Sequence, residues 1–214
     1  MTGAVETFTG SNRKEPIMKS ITLSVLCLLS AALTAADLAL PAPQKSGGMT
    51  LAEALNTRHT VRRFTDRQVT LPELSAVLWM ANGVNRPDGK RTAPSARNKQ
   101  EIMIYVTTAD GTYLYDASAH ALKEVTKTDL RSAAGAFPAP CYLILVADMQ
   151  KQTRRDFALI DSGYVSQNIY LAATALNLGT CAMARIADRD ALNRELGLGK
   201  NLTILAHPLG TPAK

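Results

Sequence analysis

The 214-residue chain contains no zinc-type ligand spacing, no nucleophile elbow, no Walker loop and no dinucleotide fingerprint. Its three histidines, His59, His120 and His207, lie far apart. These gaps weigh against a metal centre, a serine nucleophile and a Rossmann NAD domain. Long runs of one charge are missing as well. The net charge is +6, yet the longest basic clusters are pairs, Arg62-Arg63 and Arg154-Arg155. Scattered charge of this kind reads as a solvated surface, so no nucleic-acid partner is expected. Cysteine is scarce: Cys27, Cys141 and Cys181. The last two sit within apolar stretches. They could pair in an oxidising compartment, but such surroundings favour buried thiols. There is no internal repeat and no low-complexity tract.

What is present is an ordinary globular composition, 46% hydrophobic and 20% charged, at a length that suits one domain. Near the N-terminus, Met18-Lys19 precedes the apolar run Ile21 to Leu33 and then Thr34-Ala35-Ala36. A short basic region, an apolar core and small residues make an export signal, and the run is short for a membrane span. The expectation is cleavage near Ala36, a periplasmic location, and Met18 as the true start; an uncleaved anchor is the alternative. The chain then divides into an N-terminal extension and signal (1–36), a linker (37–48) and a folded domain (49–214). The linker reading rests on Pro41, Pro43 and Gly47-Gly48.

Capping boxes at Thr50-x-x-Glu53 and Thr70-x-x-Glu73 predict two helices. Residues 101–108 read as a strand, 112–116 with 121–125 as a hairpin, and 141–147 as a buried strand. The segment 154–178 reads as a long helix with Phe157, Ile160, Val165, Ile169, Ala172, Ala173 and Leu176 on one apolar face. A short strand at 180–184, a helix at 188–196 and a strand at 202–206 follow. The mixture predicts an α+β or α/β class.

Four segments could carry chemistry. In Arg58-His59-Thr60-Val61-Arg62-Arg63-Phe64, an extended chain places Arg58, Thr60 and Arg62 on one face. Two guanidiniums flanking a hydroxyl suit a phosphate dianion, although a solvated basic edge has the same spacing. In Ala93-Pro94-Ser95-Ala96-Arg97-Asn98, the compact residues allow close approach to a flat ligand, and Asn98 offers a donor and an acceptor. Gly163 lies inside the long helix, where glycine costs about 1 kcal/mol relative to alanine. Either its backbone is approached closely or another helix packs there. Finally, Gly179-Thr180 joins helix to strand, where a helix stop explains the glycine equally well.

Taken together, these segments resemble the nitroreductase superfamily in order and spacing. Arg58, Thr60, Arg62 and Phe64 are similar to its opening signature. Pro94, Ser95, Asn98 and Gln100 are similar to its loop element. Gly163-Tyr164 with Gln167-Asn168, and the tail Pro208-Leu209-Gly210-Thr211-Pro212, complete the match over residues 50–212. Leu78-Trp79 through Ala96 and Tyr113–Asp116 resemble the SagB-type branch of azoline dehydrogenases, while Arg97-Asn98-Lys99-Gln100 is closer to general nitroreductases.

The resemblance implies an α+β fold with a central, mostly antiparallel sheet flanked by helices. It implies an obligate homodimer with two FMN sites and ping-pong hydride transfer to or from a small organic molecule. Arg58, His59, Thr60 and Arg62 would hold the phosphate and ribityl chain, with Lys214 as a further phosphate contact. Pro94, Ser95, Ala96 and Asn98 would reach the ring from the other subunit. The Gly163 N–H would lie near flavin N5, and Gly179 and Thr180 would line the ring by backbone. NAD(P)H is the usual donor in such enzymes. An exported one would need a membrane or periplasmic donor instead. A flavin-binding module without turnover and an azoline-oxidising dehydrogenase are the alternatives.

Overall fold

The computed structural model describes residues 37–46 and 48–213, so the segment expected to be an export signal and Lys214 lie outside the described residues. Among the described residues, no helix is long and apolar enough to cross a membrane.

Seven strands form one sheet in the order β1-β4-β3-β2-β5-β7-β6. The strands are β1 (Leu38–Ala39), β2 (Ile102–Thr108), β3 (Gly111–Asp116), β4 (Ala121–Thr126), β5 (Cys141–Ala147), β6 (Gly179–Thr180) and β7 (Leu202–Gly210). Every pairing is antiparallel. The apolar run of β5 is buried along its whole length because both of its faces are covered. Cys141, Leu143, Leu145 and Ala147 enter one core; Tyr142, Ile144 and Val146 enter the other. The period of two along the strand produces this division.

The first core is closed by α2 (Leu71–Asn82) and α4 (Arg155–Ala175). Leu74, Val77, Leu78 and Ala81 of α2 meet Ala158, Val165, Ile169 and Ala172 of α4 there. The second is closed by α3 (Arg131–Ala134) and α5 (Arg189–Glu195) through Ala133, Ala134 and Leu192. The expected α+β architecture is therefore present. Both predicted capping boxes form: Thr50 opens α1 (Leu51–Thr57) and Thr70 opens α2, each with both reciprocal hydrogen bonds. Asp188 caps α5 through the Ala191 N–H at 2.9 Å.

Three expectations need correction. Residues 37–46 are not a free linker. Leu38 and Ala39 pair with Leu122 and Ala121, and Leu40 is buried in the first core. The Ser75 hydroxyl donates to the Pro41 carbonyl at 2.5 Å and meets His120 Nε2 at 2.8 Å, fastening the arm to α2 and the hairpin. Two prolines made the segment look flexible, but proline is tolerated at a sheet edge. The last strand runs on through Pro208 to Gly210, four residues beyond the expected stop. The strand expected at 180–184 shrinks to Gly179–Thr180 plus a bridge from Met183 to Ala206.

Cys141 and Cys181 are both buried and free. Burial pushes the Cys141 thiol up to about 12.

Candidate functional site

The segment after α1 is extended and is stitched to the far edge of the sheet. The Val61 N–H donates to the Thr180 carbonyl at 2.9 Å, the Thr65 N–H to Thr211 at 2.9 Å, and the Ala213 N–H to Arg63 at 3.0 Å. Val61 turns inward, and Arg62 and Arg63 are exposed. The Arg58 guanidinium lies over the Tyr170 ring at 5.1 Å from its centroid. The Thr60 hydroxyl is 3.3 Å from the Tyr170 hydroxyl, which also accepts the Ala182 N–H at 2.9 Å. Arg58 and Thr60 thus share one face, as alternation predicts, and Tyr170 of α4 is the post that holds them. None of Arg58, Arg62 and Arg63 has an acidic partner among the described residues. A cavity of about 260 Å³ is lined by His59, Thr60, Arg62 and Pro212. Another of about 290 Å³ is lined by His59, Tyr170, Thr174 and Thr180. A larger cavity of about 440 Å³ begins at Phe64, next to Arg63, and extends to Arg131 and Tyr142. It brings no such group of unpaired cations together.

Behind the motif is a buried relay that the sequence did not reveal. His207 is fully buried on β7. Its Nδ1 is 3.2 Å from the Thr180 hydroxyl, and its Nε2 is 3.0 Å from the Ser166 hydroxyl. Its ring meets Tyr170 edge-on, with centroids 5.7 Å apart. Burial lowers its pKa to about 3, so the imidazole is neutral and links β6, β7 and α4.

The Pro94–Asn98 loop is held just as firmly, on another side of α4. The Ala96 N–H donates to Asp161 Oδ2 at 2.7 Å, and the Gln100 N–H donates to Ser95 Oγ at 2.9 Å. Gln100 Nε2 donates to Asn98 Oδ1 at 3.1 Å. Arg97, Asn98 and Gln100 all have φ between 51° and 54°, three left-handed residues without glycine around a right-handed Lys99. Such residues are costly and persist where the surroundings over-determine them. Pro94 and Asn98 face outward.

Helical geometry relates the two clusters. Asp161 and Tyr170 are nine positions apart, so they project about 180° apart around α4 and roughly 14 Å apart along it. Between them runs an exposed stripe containing Ile160, Gly163 and Tyr164, with Leu159 at its margin. The loop stands on one flank of this stripe and the arginine motif on the other. The structure brings Arg58, His59, Thr60 and Arg62 together, and Pro94, Ser95, Ala96 and Asn98 together, but as two groups. Ile160, predicted on the buried face, is 54% exposed within the stripe.

Two assignments change. The Gly163 N–H lies mid-helix and is committed to the i→i−4 ladder, so it is not free to meet flavin N5. What Gly163 offers is space, since no atom comes within 4 Å of an added Cβ. Gly179 gains a role beside the motif. A Cβ there would lie 2.6 Å from Val61 Cβ, so glycine lets the motif strand settle onto β6. The Thr180 carbonyl is taken by Val61 and its hydroxyl by His207, although the residue borders the second cavity.

Among functional candidates, Tyr170, His207, Ser166 and Glu101 were missed in the sequence. Asp161 had a signal: an acid in helical register with Val165 and Ile169.

The nitroreductase family matches residues 55–211. A protein of Methanocaldococcus jannaschii named as a candidate nitroreductase is 32% identical over 180 residues, covering 75% of this chain and 90% of its own length. The crystal structure of a candidate nitroreductase from Ralstonia eutropha JMP134 superposes with a TM-score of 0.78 at 32% identity, over 83% of this chain and 90% of that one. A candidate nitroreductase from Desulfovibrio desulfuricans, solved in complex with FMN, has the same fold at 22% identity, with a TM-score of 0.59 over 78% of this chain and 89% of that one. The motif spacing, the antiparallel sheet and these matches agree: the chain belongs to the nitroreductase family of oxidoreductases.

Proposed function

We propose that the protein is an FMN-dependent oxidoreductase that works as a homodimer, with each flavin held between two subunits. The observation that carries this reading is the pair Arg58 and Arg62 flanking Thr60, without an acidic partner among the described residues. Clustered guanidiniums left uncompensated suit a phosphate dianion. The residues present therefore fit the phosphate end of FMN. Arg58, His59, Thr60 and Arg62 would hold the phosphate and ribityl chain. Tyr170 keeps Arg58 and Thr60 in place before the ligand arrives. Bound FMN would supply hydride uptake at N5 and return of that hydride to an acceptor.

The same geometry supports the dimer reading. In one chain, the loop and the arginine motif stand on opposite flanks of the α4 stripe. Packing two stripes about a two-fold axis brings the loop of one subunit towards the motif of the other. Ile160 and Tyr164 on the stripe, Leu159 at its margin, and Leu51 and Leu55 on α1 are apolar and exposed. Fully covering one such side chain contributes about 1.5–3 kcal/mol. Pro94, Ser95, Ala96 and Asn98 would then approach the ring from the second subunit, with the Asn98 Nδ2 as a donor and its Oδ1 held by Gln100. Lys214 remains a candidate phosphate contact. No side chain is assigned the N5 position.

The acceptor is a small organic molecule, and NADH or NADPH serves as reductant in vitro. If residues 18–36 direct export, the physiological donor is a membrane quinol or a periplasmic protein, because nicotinamides are scarce outside the cytoplasm. The decisive experiment combines the visible spectrum of the purified protein with its mass in solution. A yellow dimer with one FMN per chain is expected. A colourless monomer that takes up no FMN would end this reading. Turnover with either nicotinamide at a micromolar KM would end the proposal of a different donor.

A further inference from the structure

Glu101 stands directly before β2 and is completely buried, and no donor among the described residues reaches either of its carboxyl oxygens. An unpaired buried carboxylate is too costly to persist as such. Its carboxyl lies within hydrogen-bonding reach of that of Asp161, which is itself 2% exposed. Two carboxyls in contact away from water resist ionising together, which raises the pKa of the buried Glu101. The Ala96 N–H donates to Asp161 Oδ2 at 2.7 Å and ties that carboxyl to the loop, while burial raises the Glu101 pKa, so Glu101 carries the proton.

The charged surroundings of the pair are few. In the turn after β5, the exposed Lys151 ammonium lies 4.0 Å from Asp148, and Lys151 acts on Glu101 only through space. Arg91 lines a small cavity beside Ser95, Ile102 and Val165, but directs its charge towards Tyr115 and Asp116.

We propose that Glu101 and Asp161 are a positioning pair that holds one proton between two carboxyls and, through the Ala96 N–H, locks the Pro94–Asn98 loop in the form that meets the flavin. Glu101 donates its proton to Asp161, and Asp161 accepts from Glu101 and Ala96 together. When that proton leaves to solvent, Glu101 no longer donates to Asp161, its new charge repels the neighbouring carboxyl, and Asp161 withdraws from Ala96. The loop then has reason to relax, because Arg97, Asn98 and Gln100 hold left-handed angles only under constraint. The part of this inference that concerns flavin rests on the function proposed above; the shared proton does not.

The test uses the full chain in three forms: wild type, Glu101→Gln and Asp161→Asn. Glutamine keeps the shape of the protonated acid and donates to Asp161 at every pH. Asparagine can accept from Ala96 and donate to Glu101. The Kd for FMN is measured by fluorescence from pH 6 to 9, and the melting temperature of the FMN-free protein from pH 4.5 to 9. Burial beside Asp161 raises the Glu101 pKa to about 7. Wild-type Kd should therefore rise above neutrality, towards tenfold per pH unit. Glu101→Gln should hold its pH 6 affinity throughout, and Asp161→Asn provides the same comparison if the glutamine variant does not fold.

In the FMN-free protein, a raised carboxyl pKa means stability that is full below about pH 4.5 and lost as pH rises towards 7. The melting advantage of Glu101→Gln over wild type should therefore grow across that window and then level off. A constant melting difference overturns the shared proton. An identical pH profile of Kd in all three forms overturns its control of the loop. Absence of FMN binding to wild type at pH 6 overturns the flavin reading instead, and the melting series still judges the pair.

Discussion

Replacing Tyr170 by Phe removes one hydroxyl and leaves the ring in place. That hydroxyl accepts the Ala182 N–H at 2.9 Å and meets the Thr60 hydroxyl at 3.3 Å. The first contact is short and anchors the chain after β6; the second is long. Loss of a partner from a largely buried N–H costs about 1–3 kcal/mol, and the half-buried position of Ala182 puts the value near the lower end. A destabilisation of about 1–2 kcal/mol corresponds to a melting shift of roughly 2–8 °C in a domain of this size. The stacking of Arg58 on the ring, 5.1 Å from the centroid, survives in Phe. Tyr170→Ala also loses that contact, worth about 0.5–2 kcal/mol, and the edge contact with His207. The assay is calorimetric melting of both variants beside FMN titration by fluorescence. FMN affinity should fall modestly in Tyr170→Phe and by more than tenfold in Tyr170→Ala. If Tyr170→Ala binds FMN as tightly as wild type, Tyr170 does not organise the motif and the account of the site is wrong.

Perturbations at three other residues follow from the same geometry. The pKa of His207 is depressed by burial, so its contribution to stability is full above pH 6.5 and is lost as pH falls towards 3. Melting curves of His207→Gln should show a smaller loss on acidification than wild type, opposite in sign to the Glu101 effect. Gly163→Ala meets open space on α4 and should raise the stability of an isolated subunit by up to about 1 kcal/mol. Gly163→Trp should leave the fold intact by circular dichroism but yield monomers in sedimentation. Gly179→Ala drives a Cβ to 2.6 Å from Val61 Cβ and should displace the motif, weakening FMN binding at least tenfold with a melting loss of about 1–3 kcal/mol.

Local chemistry made much of the fold legible. The two capping boxes state their helices in four residues each, because cap and helix start are one hydrogen-bonded unit. The apolar run of β5 declares a strand covered on both faces, and the extended motif declares that Arg58 and Thr60 share a side. The docked arm at 38–41 was illegible, because its partners lie far along the chain, in β4 and at Ser75. Ile160 was misread for a related reason. Helical spacing places an apolar residue near a buried face, but only the packed neighbours decide its exposure, and Ile160 is left 54% exposed.

Residue order alone determined the element types, the cations suited to a phosphate and the membership of a family. Only the tertiary structure decided that Tyr170 holds the motif, that His207 ties α4 to the sheet, and that Glu101 meets Asp161 beneath the loop. The physical reason is range. Caps and alternation act over a few residues and can be read along the chain. A buried polar group takes its meaning from whichever partner folding sets beside it, and for Glu101 that partner is sixty positions away.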